Sequence, residues 1–152
     1  METSVRYVTT GDHDAWLRLW AAYCDFYETS MPADVTATTW QRLLDETEPD
    51  FFGLVAERDG TVIGIANCVL HGTTWAINQR CYLNDLFVDP AVRGSGAGKA
   101  LIERLQRLGA EQGWDKIHWL TAETNSRARR LYNQFAPASG FIQYAIPVKG
   151  EE

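Results

Sequence analysis

Cysteine is scarce: Cys24, Cys68 and Cys81 are the only three in 152 residues. They are odd in number and widely spaced, so reduced, buried thiols are the expectation and a disulfide is the minority reading. Histidine is equally rare, and His13, His71 and His118 form no ligand-spaced cluster, so no structural or catalytic metal is expected. No apolar run approaches the length of a membrane span. The opening METSVRYVTT lacks the charged-then-apolar pattern of a secretory leader, which points to a cytoplasmic protein without a membrane partner. Repeats, low-complexity segments and an interdomain linker are missing too. What remains is 45% hydrophobic with six Trp, enough for a real core in one domain over 1–152 and too little for two.

Positive charge is short in the first part of the chain. Residues 1–60 hold twelve Asp/Glu against four Arg, a net of −8, while the rest carries a net of +2. That balance disfavours direct DNA or RNA binding and favours a cationic substrate or partner. A surface kept soluble by acids is the other reading of the same charges.

The chain is organised around Tyr82 to Leu108, YLNDLFVDPAVRGSGAGKALIERLQRL. Leu83, Leu86, Phe87 and Val88 supply a largely buried strand that Asp89-Pro90 stops. Arg93, Gly94, Ser95, Gly96, Ala97, Gly98 and Lys99 follow, with glycines at alternate positions that let a ligand approach the main chain. Leu101, Leu105 and Leu108 then recur at helical spacing. The first turn of that helix has unpaired N–H groups at the positive end of its dipole, which predicts an anion site, most simply for phosphate. A P-loop fits poorly, because Arg93 stands where its first glycine is needed and Ala100 follows Lys99. A dinucleotide fingerprint is equally weak, because Lys99 stands where its third glycine is needed.

What does fit is Arg-x-x-Gly-x-Gly/Ala, here Arg93, Gly96 and Gly98, entered from a strand ending Leu-Phe-Val-Asp-Pro. This resembles the acyl-CoA loop of the GNAT superfamily of N-acetyltransferases. The resemblance implies that the amides of Arg93 to Lys99 hold the pyrophosphate of acetyl-CoA, the co-substrate, at the helix N-terminus.

The remaining elements fall in order around that core. Ser4 to Thr9 reads as a strand. Asp12 is placed to cap a helix carrying Trp16, Leu19, Trp20, Tyr23 and Tyr27, which Met31-Pro32 breaks. A short helix is expected from Thr38 to Asp45. Phe51–Glu57 and Thr61–Val69 read as a hairpin through Arg58-Asp59-Gly60, with Gly64 marking a bulge or a close backbone approach. A loop, 71–80, carries Trp75. Trp114 to Leu120 reads as a further strand, and Thr124 or Asn125 as the cap of a helix bearing Ala128, Leu131, Tyr132 and Phe135. Gly140-Phe141 leads a last strand through Val148, and a short charged tail follows. The order implies one mixed α/β structure, and it matches the GNAT order across nearly the whole chain. The expectation is a central sheet of six to seven strands flanked by about four helices.

The resemblance also assigns a second half of the site. Asn125 and Tyr132 lie about two helical turns apart on nearly one face. Alone they read as a cap and a core aromatic. In the GNAT pattern they match the Asn that contacts the pantetheine arm and the Tyr that faces the CoA sulfur. A phenol there can protonate the departing thiolate. The resemblance further implies that backbone N–H groups of Leu86, Phe87 and Val88 bond the pantetheine and that one polarises the thioester carbonyl. Direct transfer in a ternary complex is implied, so no cysteine is given a catalytic role. Asp85, Glu28 or a water held by them is the candidate base. Since adjacent strand residues point to opposite faces, at most one of Asn84 and Asp85 is expected to face the acceptor.

FYETS, TVIGIANCVLHGTTW, CYLNDLFV and WLTAETNSRARRLY together resemble the polyamine, diamine and histone acetyltransferase subgroup. An acidic residue often precedes the central Asp there, and here it is Asn84. Tyr27-Glu28 matches the acceptor-side Tyr-Glu of the diamine enzymes. Tyr27, Glu28, Trp75, Tyr82 and Asn84 are the candidate acceptor-side residues, since aromatic walls with a carboxylate suit a cationic amine. Trp75 and Tyr82 read equally well as core aromatics. The acceptor is read as a polyamine, diamine or basic amino acid, with protein lysine as a near variant. A CoA-binding module without turnover is the reading from another class. Homodimerisation is implied by the resemblance alone.

Overall fold

The computed structural model describes residues 2–148, so the charged tail lies outside the described residues. The chain divides into two compact units, Met1–Leu120 and Thr121–Glu152.

The first unit is a sheet in the order β1-β2-β3-β4-β5. Its strands are β1 (Ser4–Tyr7), β2 (Phe51–Arg58), β3 (Thr61–His71), β4 (Arg80–Val88) and β5 (Ile117–His118). Neighbours run antiparallel except β4 and β5, which are parallel. The β2–β3 hairpin closes through two residues, Asp59 at φ 53° and Gly60 at φ 79°. Positive φ at both positions matches the right-handed twist of the strands it joins.

Helices cover both faces. On one lie α1 (His13–Phe26) and α2 (Ala33–Leu44), where Trp16, Leu19, Trp20 and Leu43 pack with Val55, Ile65 and Phe87. On the other lies α3 (Ala97–Gln112), with Leu101, Ile102, Leu105 and Leu108 buried. Gly64 sits where both sequence readings meet. The register shifts beside it, and a Cβ there would stand 3.3 Å from Leu101 Cδ1 and 3.4 Å from the Phe87 carbonyl. Cys24, Cys68 and Cys81 are buried free thiols.

Asp12 does not cap α1. Its carboxylate accepts both Arg6 guanidinium nitrogens, at 2.7 and 2.9 Å, and the Thr9 N–H at 2.8 Å. Arg6 also donates to Glu57 at 2.7 Å, so the residue ties β1 and β2 to the start of the helix. The second helix starts at Ala33 rather than Thr38, because Pro32 pre-sets the entry and Asp34 favours the first turn.

The sheet has five strands, not six to seven. Trp114–Leu120 pairs only at Cys81↔Ile117 and Tyr82↔His118, so β5 has two residues. β4 carries a bulge just beyond that last rung and bends away. The expected last strand, 140–148, joins no ladder among the described residues.

The second unit holds α4 (Ser126–Tyr132). Asn125 caps it, its side-chain oxygen accepting from the Ala128 N–H at 3.3 Å. Tyr132 closes the helix and Phe135 follows in the succeeding turn.

Candidate active site

The site grows from the bulge in β4. Facing residues of a ladder share a side of the sheet, and here Val69 faces Tyr82 while Asn67 faces Asp85. Cys68 faces Leu83, so Asn84 is the extra residue. The inserted residue shifts the alternation by one. Tyr82 and Asp85, three apart, therefore lie on the same face, the one covered by α1. Strict alternation would have separated them. Asn84 stands exposed in the bulge, as the one-of-two expectation for Asn84 and Asp85 allowed.

Asp85 is held by a buried polar chain. The Trp16 indole N–H donates to Asn67 Oδ1 at 3.1 Å, and Asn67 Nδ2 donates to Asp85 Oδ2 at 3.1 Å. Burial pushes the Asp85 carboxyl above the usual carboxylate range, while hydrogen bonds from Asn67, Tyr23 and Asn84 oppose that shift. The same carboxylate, second to burial, raises Tyr27 and Tyr82 above the ordinary phenol. A half-buried carboxylate with three tyrosines is the result: Tyr23, Tyr27 and Tyr82.

Tyr27 and Glu28 owe their position to the end of α1. The Glu28 N–H donates to the Asp25 carbonyl at 3.0 Å and the Thr29 N–H to the Cys24 carbonyl at 2.9 Å. This pair of bonds ends a helix with a left-handed residue, usually glycine, and Glu28 takes that place at φ 53°. Trp75 lies outside the cluster, 87% exposed on loop 72–79.

Two histidines distant in sequence meet beside Tyr82. His71 Nδ1 lies 2.8 Å from the Gly72 carbonyl, which can only accept, so Nδ1 carries the proton. In the neutral ring His71 Nε2 is then the acceptor for His118 Nε2, 2.7 Å away. The His118 ring stacks on Tyr82 at 5.0 Å between centroids. Burial first, then His71, Arg80 and Lys116, lowers His118 below the ordinary imidazole. Among the described residues no group of three or more His, Cys, Asp and Glu could hold a metal ion.

The glycine loop lies beyond β4. Gly94 and Gly96 have φ of 86° and 83°, and a Cβ added to either would meet nothing within 4 Å. Gly96, the residue before α3, has no side chain to cap it, and of the first-turn N–H groups that of Ala97 donates to Ser95 Oγ at 3.4 Å, while Gly98 and Lys99 follow at positions where a helix leaves its N–H groups without an intrahelical partner. Arg93 and Lys99 are exposed. The donor set fits a pyrophosphate. Leu86, Phe87 and Val88 lie on the part of β4 past its last rung with β5, so among the described residues this edge has no strand beside it. Asn125 and Tyr132 belong to the second unit, at opposite ends of α4.

Sequence reasoning missed Tyr23, Asn67, His71 and His118. Asn67 had a legible signal, a lone amide in the apolar run Ile63–Leu70. The histidines had none, being 47 residues apart.

The acetyltransferase (GNAT) family model matches residues 15–136. The D-amino-acid N-acetyltransferase HPA3 of Saccharomyces cerevisiae is 33% identical over 92% of this chain and 88% of its own. A thialysine N-epsilon-acetyltransferase of Bos taurus is 28% identical over 47% of this chain and 41% of its own. An aminoglycoside acetyltransferase from an uncultured soil metagenomic sample, in complex with trehalose, superposes with a TM-score of 0.79 at 18% identity, covering 97% of both chains. The chain belongs to the acetyltransferase (GNAT) family and is an N-acetyltransferase.

Proposed function

We propose that the enzyme acetylates a small cationic amine, a polyamine, diamine or basic amino acid, and that Asp85 receives the proton the amine must lose. One observation carries this reading: the β4 bulge sets the Asp85 carboxylate on the same face as Tyr82. An alkylammonium has a pKa near ~10.4, so an acceptor at neutral pH arrives charged. A carboxylate among aromatic rings attracts that charge, and its raised pKa makes it a better base than an exposed carboxylate. Glu28 and Tyr27 at the end of α1 add a second carboxylate and a ring.

Acetyl-CoA supplies the activated thioester. The N–H groups of Arg93 to Lys99 bind its pyrophosphate, and those of Leu86 to Val88 bond its pantetheine and polarise the carbonyl. Asn125 orients the pantetheine, and the Tyr132 hydroxyl protonates the leaving sulfur. Transfer is direct, and the buried thiols take no part.

Support for the acceptor class comes from the acidic first sixty residues and from relatives named for D-amino-acid and thialysine substrates. The test is CoA release from acetyl-CoA against spermidine, short diamines, both enantiomers of lysine, thialysine and a basic peptide. Turnover on the small cations, falling roughly 10²-fold in Asp85→Asn, is expected. Turnover on the peptide alone would discard the small-amine reading, and an unchanged Asp85→Asn would discard the base.

A further inference from the structure

Charge changes sign along one face of the sheet. Asp85 and Tyr82 share the face covered by α1, and Arg80, two residues before Tyr82, is on it by alternation. Arg80 pairs with His71 across the β3–β4 ladder, and Tyr82 pairs with His118 across the β4–β5 ladder. Facing residues share a side, so both imidazoles stand on the same face. Lys116 adds its charge beside His118. The face therefore runs from a carboxylate at Asp85, past the Tyr82 ring, to a basic patch. Arg80, Tyr82, His71 and His118 are all half-buried.

We propose that Arg80 and the His71–His118 pair bind a carboxylate of the acceptor, which places the acceptor's reacting amine at Asp85 and its acid group beyond Tyr82. This rests on the reading of Asp85 as the group that receives the amine's proton. Arg80 is oriented by Asp115, which accepts from its Nε at 2.7 Å, and its two terminal nitrogens make the fork that a carboxylate accepts from. His118 has Nε2 on His71 and its ring face on Tyr82, which leaves Nδ1 for the ligand. With His71 Nδ1 against the Gly72 carbonyl, His118 donates from both nitrogens when it takes up a proton. His71, Arg80 and Lys116 oppose that charge, and a carboxylate offsets all three.

Distance selects which amine reacts. Tyr82 and Asp85 are three residues apart on β4, at most about 10 Å of strand. In an extended basic amino acid such as lysine, six bonds of about 1.5 Å separate the side-chain nitrogen from the carboxyl carbon, roughly 8 Å end to end. An α-amine lies two bonds from that carbon and cannot reach Asp85 from the same seat. The acceptor is then a basic amino acid taken at its side-chain nitrogen, and Asp115 beside Arg80 balances its α-ammonium. A diamine or polyamine brings a second ammonium to the basic patch instead, a repulsion that disfavours it.

The experiment compares lysine with cadaverine, the same chain without the carboxylate, as acceptors for the full chain supplied with acetyl-CoA. Wild type is expected to show a KM for lysine roughly tenfold or more below that for cadaverine, and to place the acetyl group on the side-chain nitrogen, read by NMR of the product. His118→Phe, which keeps a ring against Tyr82, is expected to bring the ratio of the two KM values close to one. Lysinamide on wild type, which needs no variant to fold, is expected to lose the advantage of lysine as well. A wild-type ratio close to one, a product acetylated on the α-nitrogen, or lysinamide used as well as lysine would overturn the subsite and leave the small-amine reading standing. So would a folded His118→Phe with the wild-type ratio. Turnover on neither lysine nor cadaverine would overturn the small-amine reading, and the subsite with it.

Discussion

Trp16 and Asp85 both hydrogen-bond the same buried amide: Asn67 accepts from the Trp16 indole at 3.1 Å and donates to the Asp85 carboxylate at 3.1 Å. One side chain therefore joins the core of α1 to the acidic group of the site. Asn67 has a role on both sides, which sets its amide orientation without ambiguity.

Removing that amide leaves the buried Trp16 indole N–H without its acceptor and the Asp85 carboxylate with one hydrogen bond fewer, those from Tyr23 and Asn84 remaining. Asn67→Leu is expected to lower stability by about 1–3 kcal/mol, measured by urea unfolding. Its activity loss should appear as a shifted pH–rate profile, because the Asp85 carboxylate loses a hydrogen bond that favours its charged form. An unshifted profile would show that the network does not tune Asp85.

Asp85 also sets a stability trade-off. Its folded pKa is raised by burial, so the unfolded state loses its proton first as pH rises. Stability from this group is therefore full below the unfolded carboxylate pKa and declines as pH climbs through the folded value. Asp85→Asn, neutral at every pH, should melt above wild type near neutrality and lose that advantage in acid, while turnover falls roughly 10²-fold. Calorimetry at two pH values checks the sign.

His118 works in the opposite sense. Burial and the cations around it lower its folded pKa, so its contribution is present above the unfolded imidazole value and is lost as pH falls below it. Wild type should lose melting temperature between pH 7.5 and about 5.5. His118→Phe, which keeps a ring against Tyr82, should lose less over the same range.

Glu28 occupies a left-handed position where glycine is unstrained. Glu28→Gly is expected to raise stability by about 0.5–1 kcal/mol, or leave it unchanged, in denaturant titration. The KM for a diamine should rise at the same time. A variant that gains stability with an unaltered KM would remove Glu28 from the acceptor side.

Tyr132→Phe separates protonation of the leaving group from binding. Turnover should fall roughly 10²-fold or more while calorimetric binding of CoA is retained. Unchanged turnover would refute the assigned role.

Local chemistry made much of this protein legible in the sequence. Asp59-Gly60 dictates a two-residue hairpin because both residues tolerate positive φ, and Gly96 and Gly113 bracket α3 at φ 83° and 77°. The leucines of α3 mark its buried face by their spacing alone, and Asn125 caps α4 as its side chain allows. Those features depend on neighbours a few residues away. Tertiary structure decided the rest. The bulge at Asn84 arises from pairing β4 against β3, so the shared face of Tyr82 and Asp85 was invisible to a strict two-residue alternation. Asp12 was taken from its expected cap by Arg6, whose position comes from β1. His71 and His118 meet because β3 and β5 both flank β4. The strand character of 141–148 was written in its composition, but a strand exists only where an edge receives it, and no ladder among the described residues includes it.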